Sequence, residues 1–267
     1  MTLTLCGSLS QHPVSLGAGM HNAGYRALGL PFVYVPFKVS DLEGALAGMR
    51  ALGIRGFGVS YPHKQAVMPL LDSLDPLAAR IGAVNTVVND DGRLVGHNTD
   101  GRGALRALEE TLELAGKRVL LLGAGGAARA IAHTLAGRGV RLSVANRDRA
   151  KGDRLASECG AIGVDFEEVS RACDYDVVVN ATTLGMGDVD PSSPVPAGAL
   201  RRGQVVMDIV YKPLETRLLQ EARRAGARVI HGGRMLLHQA ALQFELYTGQ
   251  TAPLEAMDEA LRLQIKG

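Results

Sequence analysis

A chain of 267 residues has room for one large domain or two ordinary ones. Its 46% hydrophobic and 21% charged residues suit a globular protein with a sizeable core, while the absence of tryptophan and only 4% aromatics make that core aliphatic and argue against a stacking platform for nucleic-acid bases. The 29 basic and 27 acidic residues leave a net charge of +2, too even for the basic footprint of a nucleic-acid binder or for attraction to a membrane surface.

Apolar runs rich in Val, Leu and Ile alternate with helix-spaced segments that close on glycine. A strand is expected over residues 2–8, a helix over 21–29 and a second strand over 32–39. Asp41 supplies an N-cap and Gly53 a stop for the next helix. A third strand follows over 54–61, and residues 83–98 read as a hairpin turning at "NDDG". A second α/β unit begins with a helix over 101–116, then a strand, a glycine-rich turn and a helix over 117–139. Strand and helix repeat over 140–160, two strands lie within 174–186 and 203–213, and a helix and a short strand fill 215–233. This rhythm predicts a parallel, doubly wound sheet. Residues 188–196, with three prolines and two serines, read as a loop. The tail, 233–267, reads as two helices with no strand after them, so at least one is expected to return and pack on the first unit.

The turn "GAGGAARA" places Gly123, Ala124, Gly125, Gly126 and Ala127 between an apolar strand and an Ala-rich helix. Glycines there let the backbone approach a pyrophosphate, and the helix N-terminus offers free N–H groups and partial positive charge. The third fingerprint position is Ala128, which the motif allows. A tight turn without a ligand is the simpler alternative, but the flanking strand and helix favour a dinucleotide. The end of the next strand, "VANRDRAK", carries Asn146, Arg147, Arg149 and Lys151, cations that favour the 2′-phosphate of NADP. Asp148 dissents, since an acid there accepts the ribose hydroxyl of NAD, which leaves NAD open.

Three polar residues of the first unit have no obvious structural duty. Lys64 follows Pro62 after an apolar strand, Asn85 sits inside an apolar hairpin strand, and Asp100 lies where the two units join, a place where a ligand cleft is expected. A solvated lysine, a backbone-satisfying asparagine and a helix cap are the ordinary readings of each taken alone.

The three cysteines, Cys6, Cys159 and Cys173, form neither a disulfide framework nor a CxxC metal motif. The N-terminus lacks the layout of a signal peptide, and apolar runs are far shorter than a membrane span, so a cytoplasmic protein is expected.

Read in order, "YPHK", "GAVNTV", "GHNTDGRG", "GAGGAARA", "ANRDRAK", "NATTLGM", "DIVYKPLET" and "GGRMLLHQAALQFELYTG" resemble the shikimate dehydrogenases along nearly the whole chain. The resemblance implies an α/β protein with a discontinuous substrate-binding domain, residues 1–100 plus 236–267, and a Rossmann-type NADP-binding domain, residues 101–235. It implies NADP-linked interconversion of 3-dehydroshikimate and shikimate in the route to chorismate and the aromatic amino acids, with no metal. Lys64 and Asp100 inherit the acid–base role, Asn85 and Gln239 hold ring hydroxyls, and Tyr211 lies near the substrate. Ile209 and Gly232 border the nicotinamide, and Thr182 lies along the cofactor. The partner implied is a small shikimate-like hydroxy acid, bound by a monomer or homodimer.

Two stretches depart from the family pattern. Before the lysine, "GVSYPHK" has Gly58 where an asparagine is usual, and Ser60 where a substrate-contacting threonine is usual. The first loop, "HPVSLGAGMHN", has Pro13 and Leu16 in place of a serine and a proline, and is two residues longer before His21. Ser15 is the remaining candidate to grip the substrate carboxylate, with Ser8 and Ser10 as substitutes. This pattern resembles a divergent branch, for which a quinate/shikimate dehydrogenase using NAD and a catalytically weak NADP or metabolite sensor are the alternatives.

Overall fold

In the computed structural model, which describes residues 2–187 and 189–266, the chain divides into two units, Met1–Thr99 with Gln239–Gly267, and Asp100–His238. Asp188, the first residue of the expected proline-rich loop, and the two chain ends, Met1 and Gly267, lie outside the described residues.

The first unit contains β1 (Thr4–Ser10), α1 (Leu16–Ala27), β2 (Phe32–Lys38), α2 (Leu42–Ala51), β3 (Gly56–Val59), a single turn α3 (His63–Ala66), β4 (Ser73–Leu74), α4 (Pro76–Ile81) and a hairpin of β5 (Thr86–Asp90) and β6 (Arg93–His97). Its sheet runs β2-β1-β3-β5-β6-β4. β1 is parallel to β2 and β3, while β5 is antiparallel to both neighbours, as a tight hairpin requires. Asp41 caps α2 by accepting from the Gly44 N–H at 2.9 Å. Alternation along the strands sends Leu9, Phe57, Val59 and Val87 into an aliphatic core with Leu46 and Met49 of α2.

α1 begins at Leu16, earlier than the apolar spacing predicted. Gly17, Gly19 and the nearby Pro13 hide the helix, because glycine has poor helix propensity. Tertiary packing overrides that: a Cβ at Gly19 would sit 1.9 Å from the Gln264 amide nitrogen, and one at Gly24 would sit 2.9 Å from the Phe244 ring. The two tail helices, α9 (Gly232–Thr248) and α10 (Leu254–Lys266), thus bring Phe244 and Gln264 against α1, the return the tail's rhythm predicts.

The second unit holds α5 (Asp100–Glu109), β7 (Arg118–Leu122), α6 (Gly126–Leu135), β8 (Arg141–Ala145), α7 (Arg149–Glu158), β9 (Ile162–Val164), β10 (Val177–Asn180), β11 (Val205–Asp208), α8 (Arg217–Arg224) and β12 (Arg228–Ile230). All pairings are parallel, in the order β12-β11-β10-β7-β8-β9. Val119 and Leu121 of β7 enter one core, Leu120 and Leu122 the other, so the sheet is covered on both faces. α5 stops at Glu109 rather than near Gly116, because the Thr111 and Lys117 N–H groups bond three residues back, to Leu108 and Leu114, and tighten the chain into turns. The short β9 and a 3-10 segment over Phe166–Asp174 were not anticipated from periodicity.

Among the described residues no helix is long and apolar enough to cross a membrane, and no cluster of three or more metal-ligating side chains occurs.

Candidate active site

In the second unit the strand order reverses between β7 and β10. Ligands of open α/β sheets gather beyond the strand C-termini at such a reversal. A cavity of about 580 Å3 lies at that point, lined by residues 123–127 of the β7–α6 turn, Asn146 and Arg147 after β8, residues 181–184 and Met186 after β10, and residues 209–212 after β11. Gly123, Ala124, Gly125, Gly126, Ala127, Asn146, Arg147, Thr182, Ile209 and Tyr211 therefore meet on one cavity. Gly232 stands close by, since a Cβ there would lie 2.2 Å from the Ile209 carbonyl oxygen.

The turn fits a pyrophosphate. Gly123 has φ +111°, a left-handed conformation that side chains avoid. Its missing Cβ also leaves space for the Ala181 carbonyl oxygen, which would be 2.9 Å away. A Cβ at Gly125 or Gly126 would meet nothing within 4 Å, so the backbone at the start of α6 faces open space with its N–H groups available.

The four residues after β8 separate into different duties. Arg147 is exposed on the cavity and makes no hydrogen bond or ion pair among the described residues. Asp148 caps α7, accepting from the Lys151 N–H at 3.2 Å, a bond that holds its carboxyl below the usual range, and it pairs with the Lys151 ammonium at 3.3 Å. Arg149 turns to Asp153, Asp165 and the Gly163 carbonyl. Neither Arg149 nor Lys151 lines the cavity. The Asn146 amide donates to the Asp148 carbonyl at 2.8 Å, bracing the turn.

Two residues that the sequence reading gave no role shape the cavity wall. Asn180, fully buried at the end of β10, donates to the Leu184 carbonyl at 2.9 Å and to Asp208 at 3.0 Å. Its amide oxygen accepts from the Thr182 N–H at 3.1 Å and from the Thr182 hydroxyl at 2.7 Å. Asp208, at the end of β11, also accepts from Thr216 at 2.7 Å and from the Val210 N–H at 3.0 Å, and burial raises its pKa despite these bonds. The signal was present: "DVVVN" and "VVMD" each end an all-apolar run with one polar residue, which a buried strand end must justify.

The first unit gathers Asn85, Gln239 and their supports. The Asn85 amide nitrogen donates to the Gln239 amide oxygen at 3.0 Å and to the Thr99 hydroxyl at 2.9 Å, and its oxygen accepts from the Thr99 N–H at 2.8 Å. Lys64 is half-buried in α3, and its carbonyl accepts from the Val84 N–H at 2.8 Å, tying α3 to the residue preceding Asn85. Ser15 and Ser60 are exposed, and Ser15 precedes α1 without a side-chain capping bond. Ser10 accepts from the His12 N–H at 3.0 Å. In the second unit, Asp100 is buried as the first residue of α5, where an acid suits the helix dipole.

Comparisons with known proteins agree with this geometry. Residues 10–87 match the model of the shikimate dehydrogenase substrate binding domain, 105–206 that of shikimate / quinate 5-dehydrogenase, and 232–262 that of the shikimate 5'-dehydrogenase C-terminal domain. The shikimate dehydrogenase (NADP(+)) of Moorella thermoacetica is 49% identical over 270 residues, covering 96% of this chain and 92% of its own length. A crystal structure of a shikimate dehydrogenase in complex with NADP+ superposes with a TM-score of 0.92 at 39% identity, over 98% of this chain and 96% of that one. The shikimate 5-dehydrogenase of Thermus thermophilus in complex with NADP(H) and shikimate gives 0.88 at 39% identity, over 98% and 99%. With a parallel sheet whose order reverses at a glycine-lined cavity, and with near-complete coverage by these relatives, the chain belongs to the shikimate dehydrogenase family.

Proposed function

We propose that this protein is an NADP-dependent shikimate dehydrogenase that interconverts shikimate and 3-dehydroshikimate. The observation that carries the reading is the 49% identity, over 96% of the chain, to a relative named shikimate dehydrogenase (NADP(+)). The exposed Arg147 on a cavity with an open glycine backbone supports the cofactor half of it.

In this reading residues 123–127 hold the pyrophosphate, Arg147 and Asn146 face the 2′-phosphate, and Thr182, Ile209 and Gly232 border the nicotinamide. Arg149, paired with Asp153 and Asp165, and Lys151, paired with the capping Asp148, add only to the positive field. Bound NADP supplies the hydride acceptor. Lys64 and Asp100 take up the proton of the hydroxyl being oxidised and return it in the reverse direction. Asn85 and Gln239 hold ring hydroxyls, Tyr211 flanks the substrate, and Ser15 and Ser60 serve its carboxylate end. The enzyme works in the cytoplasm on a single small hydroxy acid.

The test is direct. Purified protein with shikimate and NADP develops the absorbance of reduced nicotinamide, and Lys64→Ala and Asp100→Asn each lower kcat by about 100-fold or more. Quinate and NAD, run in parallel, give lower kcat/KM. A wild-type rate retained by Lys64→Ala removes its assigned role, and no turnover of shikimate removes the reading as a whole.

A further inference from the structure

Three buried polar side chains of the first unit have no role so far: His21, Thr86 and Gln243, with His21 and Thr86 fully buried and Gln243 5% exposed. Buried amides and hydroxyls are costly unless paired, and here the pairing fixes which atom donates at each link. Two backbone groups, whose polarity is not in question, anchor the assignment.

The first anchor is the Thr99 N–H, 2.8 Å from the Asn85 side chain. A backbone N–H only donates, so the Asn85 atom it meets is the amide oxygen. The Thr86 hydroxyl lies 2.8 Å from that same oxygen and therefore donates to it. Having spent its proton, the Thr86 hydroxyl accepts from the Gln243 amide 3.0 Å away. The second anchor agrees: the Asn85 backbone carbonyl, 3.2 Å from the same Gln243 atom, only accepts, so that atom is the nitrogen. The Gln243 oxygen is left facing the His21 Nε2 at 3.4 Å, which must carry the proton. Burial lowers the His21 pKa to about 4, consistent with a neutral ring holding one proton. Tyr34 stacks on that ring with centroids 4.3 Å apart and planes 3° from parallel, which keeps it from turning.

The consequence lies at the other end. With its oxygen assigned to Thr99 and Thr86, Asn85 turns its nitrogen to Gln239, 3.0 Å away, so Gln239 meets it with its oxygen. The Gln239 amide nitrogen has no partner among the described residues.

We propose that His21, Gln243 and Thr86 are positioning residues, a buried relay that holds the Asn85 amide in one orientation and so makes Gln239 offer a donor, its amide N–H, to a substrate hydroxyl oxygen. This rests on the reading that Asn85 and Gln239 hold the ring hydroxyls. The site then selects a ligand group that can accept: a hydroxyl is taken, and an ammonium in its place is refused.

Thr86→Val removes the hydroxyl at nearly constant shape, and Thr86→Ser keeps it. Steady-state kinetics on the full-length protein are expected to show KM for shikimate raised about tenfold or more by Thr86→Val, KM for NADP within about twofold, and most of the shikimate affinity recovered in Thr86→Ser. In parallel, side-chain amide NMR of the ligand-free protein, assigned with Asn85→Asp and Gln239→Glu, is expected to show protected Asn85 amide protons in the wild type and Thr86→Ser and faster exchange in Thr86→Val. Wild-type KM for shikimate in Thr86→Val overturns the relay, as does an equal loss for both Val and Ser or an equal rise in both KM values. Should the wild type fail to turn over shikimate, the functional reading falls, and the NMR arm alone decides the relay: unchanged Asn85 protection in Thr86→Val overturns it.

Discussion

The hydroxyl of Tyr34 occupies the space that a side chain at Gly58 would need: a Cβ built there lies 2.7 Å from that oxygen. Gly58 stands in β3 where the family usually has an asparagine, and Tyr34 reaches it from β2, across β1. Burial raises the pKa of the Tyr34 hydroxyl. Its ring is pinned on His21, so the oxygen is not the loose end of a flexible chain. Gly58→Ala is expected to cost about 1–3 kcal/mol of stability by overpacking, read from urea unfolding. Tyr34→Phe added to it recovers part of that loss, because the clashing oxygen is gone. Equal stability of Gly58→Ala and wild type would falsify the packing account.

Arg147 and Arg149 are both exposed cations after β8, but Arg149 is bonded to Asp153 and Asp165, whereas Arg147 lines the cavity and makes no ion pair among the described residues. Arg147→Ala is expected to raise KM for NADP by about tenfold to a hundredfold, the worth of a charged hydrogen bond, with KM for NAD nearly unchanged. Arg149→Ala shifts either value by less than about threefold. Matching effects of the two variants on NADP would show that position after the strand, rather than a place on the cavity, sets the cofactor preference.

Asn180 links the ends of β10 and β11 to the loop carrying Thr182. Asn180→Leu leaves the buried Asp208 carboxylate and the Thr182 N–H each short of a partner. A loss of about 2–4 kcal/mol in thermal unfolding is expected, together with a higher KM for NADP. Unaltered melting would mean that the wall of the cavity is held by other contacts.

His21 makes acid stability a test of its environment. Above its ordinary pKa of 6.5 the ring is neutral in folded and unfolded chains and adds no pH dependence. As pH falls from 6.5 towards 4, the unfolded chain takes up a proton that the folded chain refuses, so stability drops, by on the order of 3 kcal/mol for this gap. His238, whose pKa burial also lowers, pulls the same way. The difference between wild type and His21→Gln isolates the His21 part: the variant's stability profile is expected to be flatter over that range. Parallel profiles would show that the ring accepts its proton at an ordinary pH.

Much of the fold is legible locally. Period-two apolar runs, Asp41 as a cap and "NDDG" as a turn each act within a few residues, so β5, β6 and α2 follow from neighbours alone. The start of α1 does not, because Gly19 and Gly24 weaken the helix locally and are retained for the close approach of α10 and α9. The cavity was half legible. Gly123 to Ala127 announce themselves, whereas Asn180 and Asp208, 28 residues apart, acquire their meaning only as partners.

What the sequence determined by itself is the order of elements, the glycine turn and the family resemblance, because these rest on local propensity and on residue types at short, regular spacing. The tertiary structure decided which like-looking residues do which work. It separated Arg147 from Arg149 by giving one a cavity and the other two carboxylates. It set Tyr34 into the space of Gly58, and it joined Asn85 to Gln239 and Gln243 across more than 150 residues of chain. Such assignments depend on where a side chain's donors and acceptors find partners once buried, and that is settled by the packing of the whole unit rather than by any stretch of it.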